Sequence, residues 1–374
     1  MRMPALGISP ALSVLAAFSR ITSPQPVHTF FRSAGYKLRP PRPLPYAPRI
    51  SSAQEKLLAT GGVERRQLST LLCEQRNGPV PTIVLGGFVP NSMEQVFLLR
   101  GFLLRRGSVY YFNYPTEGFS TDLFCAQLDD LVRELNEIHG QRPVVFGVSF
   151  GAGLLIEWLR RSRAAGRMPA LTATVIVSPV ACVEDVVDPA EAKPSTLLGR
   201  AVKPYLDSGP RVDNRTVEKS RTIFAKMFEA GAQNKTSLRT LLTRDEFIFL
   251  RDRVLGCIQD VAPTGAVERV QALRSMPPLS AWTAAPGHLP LSDAPALILF
   301  AEKESSVLTE TSPTRQALES VLPAFFPRGE LRIVTGEEGN AVQHASLIFH
   351  YFQFLPHIAG FYRGLKSGKF RQAA

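Results

Sequence analysis

The most constraining feature of the chain is a glycine–serine turn in its first half. The residues Gly147-Val148-Ser149-Phe150-Gly151 follow an apolar run at 144–146 and precede an amphipathic segment that begins at residue 154. The apolar run is typical of a buried parallel strand, and the later segment is typical of a helix. A sharp turn between them needs small residues, here Gly147 and Gly151, because the two backbones approach closely. The pattern predicts a strand–turn–helix unit that raises Ser149 above one edge of a sheet.

Strands and helices alternate along most of the chain. Short apolar runs are expected as parallel strands, and segments with apolar residues every three or four positions as helices. Strands are predicted over 64–74, 81–86, 108–113, 143–147, 173–177, 296–300 and 331–335, and helices over 94–106, 121–138, 152–161 and 313–322. The first strand is expected to be an outer, antiparallel one. The fold class is therefore α/β, a mostly parallel sheet with helices on both faces.

One long block interrupts the alternation. Between the strands at 173–177 and 296–300 there is no strong strand signal, and helical patterns cover 215–230 and 243–259. The second pattern opens with a capping box formed by Thr243 and Glu246. A helical insertion of this kind is expected to cover the carboxyl ends of the strands, where ligands bind in open sheets. We predict an α/β core over 57–182 and 291–374, with an inserted helical cap over 183–290.

Residues 1–56 differ in composition from the rest of the chain. The first 54 residues carry seven Lys or Arg and no Asp or Glu, whereas the whole chain has a net charge of +11. Nine prolines lie among the first 50 residues, so we expect an extended arm that adds no strand or long helix to the body. The arm is interpreted as a flexible or targeting segment, with weak contact to an anionic membrane surface as a further possibility. The body is expected in the cytoplasm unless the arm directs it elsewhere.

The remaining composition excludes several classes of protein. The other 320 residues carry only +4, which is too little to indicate a nucleic-acid-binding body. The four cysteines are scattered, without a Cys-x-x-Cys motif or a Cys/His cluster, and are expected to be reduced thiols: Cys73, Cys125, Cys182 and Cys257. No apolar run reaches the roughly 18 uninterrupted residues that a membrane span needs. Because the cysteines form no motif or cluster of this kind, we expect no metal site, and we also expect no cofactor.

Candidate partners for Ser149 follow it in the chain. A serine hydroxyl is a weak nucleophile that needs a base, and the base needs a carboxylate to hold its tautomer. After a turn of this type, the acid is expected first and the histidine second. Glu304 follows the strand at 296–300, and His344 follows the strand at 331–335. Both residues are therefore predicted at the same sheet edge as Ser149.

The acid and the base each have an alternative. Glu302 lies two residues before Glu304 at the same strand end, so it stays open as the acid. Asp293 precedes the strand and is expected at the opposite edge of the sheet. His288, in the segment that leaves the predicted cap, is the one competitor for His344.

Two backbone amides are predicted to hold a negatively charged oxygen. One is the amide of Phe150, directly after the nucleophile, and the other lies in the loop after the strand at 81–86. In that loop, Phe88 is our choice of donor, and Gly86 and Gly87 before it leave room for a tetrahedral intermediate.

Together these motifs resemble the α/β-hydrolase superfamily over residues 64–362. The resemblance includes the Gly-x-Ser-x-Gly turn, the acid after the following core strand, the terminal histidine and the segment 113–120 after the second parallel strand. Two features differ: Gly86-Gly87 stands where the family usually has His-Gly, and Glu304 stands where Asp is commoner. The resemblance implies acyl transfer to Ser149 and then hydrolysis of an ester, thioester, amide or lipid, with a small-molecule acyl substrate.

The apolar residues of the predicted cap allow two interpretations. They could receive an apolar acyl chain or pack the cap onto the sheet: Phe224, Met227, Phe228, Phe247, Ile248, Phe249 and Leu250. We predict a serine esterase or thioesterase. An acyltransferase with the same triad and a non-catalytic binding protein on the same fold are the alternatives.

Overall fold

A single eight-stranded sheet runs through the protein. The computed structural model describes residues 42–60, 66–208, 212–232, 242–282, 287–337 and 339–370. The strands are β1 Leu44–Pro45, β2 Thr70–Glu74, β3 Thr82–Leu85, β4 Val109–Asn113, β5 Val144–Val148, β6 Ala173–Val177, β7 Ala296–Ala301 and β8 Gly329–Val334. Their order across the sheet is β1-β2-β4-β3-β5-β6-β7-β8. In this spatial order, all neighbouring strands from β4 through β3 to β8 pair in parallel. The prediction of a mostly parallel sheet is confirmed.

The helices connect and flank these strands. They are α1 Ser52–Ala59, α2 Ser92–Gln95, α3 Arg100–Leu104, α4 Thr121–Glu137, α5 Phe150–Ala164, α6 Leu197–Ser208, α7 Asn214–Ala232, α8 Arg244–Asp260, α9 Pro263–Ser275, α10 Pro313–Phe325 and α11 Tyr351–Ser367. None of the helices in the described ranges is long and apolar enough to cross a membrane. The capping box of Thr243 and Glu246 at the start of α8 is confirmed.

Alternating side chains of the strands build two apolar layers. Val145 and Ile176 face the layer formed with α4, α5 and α10, whereas Phe146 and Val175 face the layer formed with α2, α3 and α11. Because successive residues of a strand point to opposite faces, a strand buried on both faces must be apolar throughout. This explains the continuous apolar runs of the sequence. All four cysteines are buried and form no disulfide.

The amino-terminal segment corrects one prediction. Leu44–Pro45 pairs antiparallel with β2, and β2 pairs antiparallel with β4. The expectation that the arm adds no strand is therefore wrong at these two residues. Pro45 is accepted because an edge strand has one side that needs no N–H donor. The predicted arm before residue 42, and the predicted start of β2 at residues 64–65, lie outside the described residues.

Helix α1 also ties this segment to the body. It contacts α4, and Gln54 within it is only 1% exposed. The Ser51 amide donates to Asp130 at 2.9 Å, and the Tyr46 hydroxyl bonds the carboxylate of Glu134. Residues from 42 to 60 are thus part of the folded body rather than a free appendage.

The predicted helix over 94–106 is two short helices, α2 and α3. In the stretch between the two helices, neighbouring apolar residues are buried in different clusters. Val96 and Leu99 are buried in the layer formed with α2, α3 and α11. Phe97 instead packs near Phe228 and Phe349 in a separate cluster.

Helices α6 to α9 lie in the chain between β6 and β7, within the predicted cap range. The sequence patterns of α7 and α8 were recognisable, whereas α6 contains Pro204 and α9 contains Gly265, which obscured their helical signal. Both helices nevertheless bury apolar side chains in the layer formed with α4, α5 and α10. These side chains are Leu198 and Val202 of α6 and Leu273 of α9.

Candidate active site

The turn between β5 and α5 places Ser149 as the sequence predicts. Ser149 has a φ of 52°, a left-handed conformation that is uncommon outside glycine, and its amide donates to Val177 O at 2.9 Å. A Cβ atom on Gly147 would lie 2.7 Å from Ala152 Cα, and one on Gly151 would lie 2.3 Å from Gly86 O. Neither position has room for a side chain. The strain at Ser149 is held by the packing of the strand and helix on either side.

A hydrogen-bonded relay connects Ser149 to a buried carboxylate. His344 Nε2 lies 2.9 Å from Ser149 Oγ, and His344 Nδ1 bonds Glu304 Oε2. The loops that carry the two partners run side by side, because the Lys303 amide donates to Val342 O at 2.9 Å. Residues from the ends of three strands thus meet at the carboxyl edge of the sheet.

The structure places Glu302, Asp293 and His288 outside the hydrogen bonds that join Ser149, His344 and Glu304. Glu302 Oε2 accepts a hydrogen bond from the Gly336 amide at 2.7 Å. The carboxylate that bonds His344 is that of Glu304. Asp293 precedes β7, at the opposite edge of the sheet as expected. His288 lies in a turn near the end of the predicted cap range and does not line the cavity beside Ser149.

Two amides beside Ser149 are available to a ligand. Within the described part of the chain, neither the Phe88 N–H nor the Phe150 N–H has a hydrogen-bond acceptor. A Cβ atom on Gly87 would lie 3.5 Å from Ser149 Cβ, so this loop borders the nucleophile directly. The Phe150 amide is also at the start of α5, where unpaired N–H groups and the helix dipole favour negative charge.

The loop that carries Phe88 is held firmly. The Gly86 amide donates to Ser92 Oγ at 2.9 Å, and Gly86 O accepts from the Tyr114 hydroxyl at 2.8 Å. The Phe88 ring stacks on the Phe150 ring with centroids 4.2 Å apart. The two predicted donor residues are therefore packed against each other.

A cavity of about 370 Å³ opens beside Ser149 and His344. Its outer wall comes from the insertion and is apolar: Leu198, Phe224, Met227, Phe228, Val254 and Ile258. A second apolar cavity of about 50 Å³ shares Phe88 and Phe224 with the first as lining residues. The site therefore combines one polar relay with a mostly hydrocarbon chamber.

Comparisons with known proteins agree with this architecture. No family model and no curated protein matches the sequence. Among solved structures, an esterase from Exiguobacterium antarcticum superimposes with a TM-score of 0.52 at 13% identity, covering 79% of this chain and 96% of that one. A thermophilic esterase from Thermogutta terrifontis gives 0.51 at 14%, covering 79% and 94%, and an esterase from Rhodococcus sp. gives 0.50 at 15%, covering 79% and 96%. The chain has the α/β-hydrolase fold. At these identities the likeness concerns the fold.

The α/β-hydrolase fold here carries a polar residue that sequence reasoning missed. Ser178 follows β6, is fully buried and has a φ of 45°. Its hydroxyl donates to Glu304 Oε1 at 2.7 Å and accepts from the Ala345 amide at 3.2 Å. The Ala301 amide donates to the same Glu304 oxygen at 2.6 Å. Ser178 thus connects the carboxylate to the backbone next to His344.

The apolar residues of the insertion divide between the two predicted interpretations. Phe224, Met227 and Phe228 line the cavity beside Ser149. Leu250 is buried in the cluster that also contains Phe97 and Phe349 of the core, and Ile248 is 45% exposed. The segment 247–250 therefore contributes packing and surface rather than cavity wall.

Proposed function

We propose that the protein is a serine hydrolase that cleaves a carboxylic ester or thioester with an apolar acyl group. The observation that carries the proposal is the relay from Ser149 through His344 to Glu304, beside two free amides and an apolar chamber. Each of these parts has a separate structural explanation, but an ester-cleaving site requires all of them within one cleft.

In the proposed acylation step, Ser149 Oγ attacks the substrate carbonyl carbon. His344 Nε2 takes the hydroxyl proton, and Glu304 keeps the imidazole oriented and stabilises its positive charge. The carbonyl oxygen becomes negatively charged and is bound by the Phe88 and Phe150 amides, which need no reorganisation because both are already free. The C–O or C–S bond then breaks, and His344 gives the proton to the leaving group.

In the deacylation step, water attacks the acyl-enzyme. His344 accepts a proton from this water, the oxyanion forms again, and its collapse releases Ser149 and the carboxylic acid. No co-reactant other than water is needed.

The chamber supports an acyl group of moderate size. Its volume of about 370 Å³ lies near the lower end of the range for small-molecule sites. Each methylene transferred from water into such a chamber contributes about 0.8 kcal/mol, or roughly a fourfold gain in binding. We therefore expect kcat/KM to rise with chain length until the chamber is filled.

A substrate panel with a matched blank tests this proposal. Purified full-length protein is assayed with p-nitrophenyl esters from acetate to palmitate and with the corresponding acyl thioesters, and Ser149→Ala is the blank. We expect turnover that rises and then falls with chain length and that drops by several orders of magnitude in Ser149→Ala. A fluorophosphonate probe should label the wild type and not the variant. Unlabelled wild type without turnover would refute the proposal, and equal turnover in both proteins would refute the role of Ser149.

A further inference from the structure

A buried arginine of the insertion touches the loop of the candidate oxyanion site. Arg269 lies on α9 and is only 5% exposed. Its Nη1 donates to Phe88 O at 2.5 Å and its Nη2 donates to Pro115 O at 3.0 Å. The guanidinium carbon lies 5.6 Å from the centre of the Tyr114 ring. The same Tyr114 holds Gly86 O through its hydroxyl.

No carboxylate among the described residues forms an ion pair with Arg269, and its buried Nε has no hydrogen-bond partner there. Burial lowers the pKa of Arg269 to about 10, so the side chain remains a cation at neutral pH. Buried arginines are rare without a paired charge, because taking a charge out of water is costly. The cost is offset by two carbonyl dipoles, by the aromatic face of Tyr114 and by the electrostatic attraction of the neighbouring Glu268.

Anchoring of α9 does not require this cation. The Ala262 amide donates to Thr116 O at 3.0 Å, and Gly265 lies so close to Thr116 O that a Cβ atom would be 1.9 Å away. The Glu268 carboxylate accepts from the Phe119 amide at 2.8 Å. Helix α9 is thus already fixed to the loop at 115–119, and the bond from Arg269 to Phe88 has an effect of its own on the loop after β3.

We propose that Arg269 is a positioning residue for the oxyanion site, an inference that rests on the proposed function. Its forked side chain fixes the Phe88 carbonyl in the direction of α9 while Tyr114 fixes the Gly86 carbonyl. The backbone between them, which includes the Phe88 N–H, is then held beside Ser149. The buried guanidinium also adds a positive potential behind this amide.

This arrangement acts on the transition state more than on the substrate. A ground-state ester oxygen carries little charge, whereas the tetrahedral intermediate carries a full negative charge in a dry site, where electrostatic effects are strong. Loss of one oxyanion donor typically lowers kcat by about 10²–10³. Since Arg269 acts through Phe88, we expect its loss to lower kcat by roughly 10–100-fold with little change in KM.

The test compares Arg269→Met and Arg269→Lys with Arg328→Met in the full-length protein. Arg328 is the matched control because it also donates to two backbone carbonyls, those of Asp293 and Phe370, at the opposite edge of the sheet. Each variant is assayed for kcat and KM on the best ester. Each is also assayed for affinity to a trifluoromethyl ketone, which forms an oxyanion on Ser149, and to the carboxylic acid product.

We expect Arg269→Met to lower the affinity for the trifluoromethyl ketone by the same factor by which it lowers kcat. The affinity for the carboxylic acid product should stay unchanged. Arg269→Lys keeps the charge but cannot hold both carbonyls, so its kcat should fall by a smaller factor, and this variant decides the question if Arg269→Met does not fold. Arg328→Met should match the wild type.

Two results would overturn the inference. One is a wild-type kcat in either folded Arg269 variant, and the other is an equal loss of ketone and product affinity, which would indicate a distorted cavity. The rate of fluorophosphonate labelling separates this failure from failure of the proposed function. Labelling that is equal in the wild type and Arg269→Met would overturn the role of Arg269 alone, whereas a wild type that does not label would overturn the serine mechanism.

Discussion

Replacing Ser178 with alanine removes two buried hydrogen bonds and leaves the rest of the relay in place. The lost bonds are the one to Glu304 Oε1 at 2.7 Å and the one from the Ala345 amide at 3.2 Å. A hydrogen bond to a charged group contributes about 1.5–3 kcal/mol and a neutral one about 0.5–1.5 kcal/mol. We therefore expect the free energy of unfolding to fall by about 2–4 kcal/mol.

The effect on turnover should be smaller, because only the part of the interaction that strengthens in the transition state changes kcat. If Ser178 contributes about 1.4 kcal/mol to holding Glu304 as His344 becomes charged, kcat falls about tenfold. KM should stay near its wild-type value, since Ser178 does not line the cavity.

Thr174→Val is the matched control for this prediction. Thr174 lies on the same strand, β6, and is also fully buried, but its hydroxyl has no partner among the described residues. Its replacement by valine should leave the free energy of unfolding equal or slightly higher, and kcat unchanged. Denaturant unfolding and ester kinetics on both variants measure the difference. Equal stability and equal kcat in Ser178→Ala and Thr174→Val would refute the argument.

Three further predictions follow from the same geometry. Glu304→Gln should lower kcat by roughly 10²–10⁴ and Glu302→Gln should change it little, and the reverse order in ester assays would transfer the role of the acid to Glu302. Gly151→Ala should lower the free energy of unfolding by about 3 kcal/mol, because its Cβ would meet backbone oxygens. Gly256→Ala is the control: its Cβ would meet nothing within 4 Å, and alanine favours the helix, so the free energy of unfolding should rise by up to about 1 kcal/mol. Denaturant unfolding measures both changes. Deletion of residues 1–54 should lower the melting temperature, since it removes β1 and the hydrogen bonds of that segment to α4, and an unchanged melting temperature would count against this packing.

The sequence was most informative where a local pattern carried the constraint. Ser149 could be predicted because the strand, the glycines and the helix around it are adjacent in the chain. Glu304 and His344 could be placed from the rule that parallel strands end at one edge. The sequence could not distinguish the two glutamates, because the difference lies in their partners: Glu304 bonds His344, and Glu302 accepts from the Gly336 amide.

Residues that act across long separations gave no such signal. Ser178 is a single serine after a strand, and its partner Glu304 lies 126 positions away. Arg269 lies on a helix where a solvated arginine would look the same in the sequence, and its contact with Phe88 spans 181 positions. Leu44–Pro45 was missed because a proline in a basic segment favours an extended arm, and only the position of β2 makes it an edge strand.

The edge position of β1 has a consequence for how the protein behaves at high concentration. Without β1, the strand Thr70–Glu74 would present its open backbone groups and apolar side chains to another copy of the chain, which is how sheets join into larger aggregates. With β1 in place, the outermost strand is two residues long, and Pro45 has no N–H to offer. At the other margin of the sheet, β8 carries the charged residues Glu330 and Arg332. Colloidal stability of the protein therefore depends on a proline at one margin and on paired charges at the other.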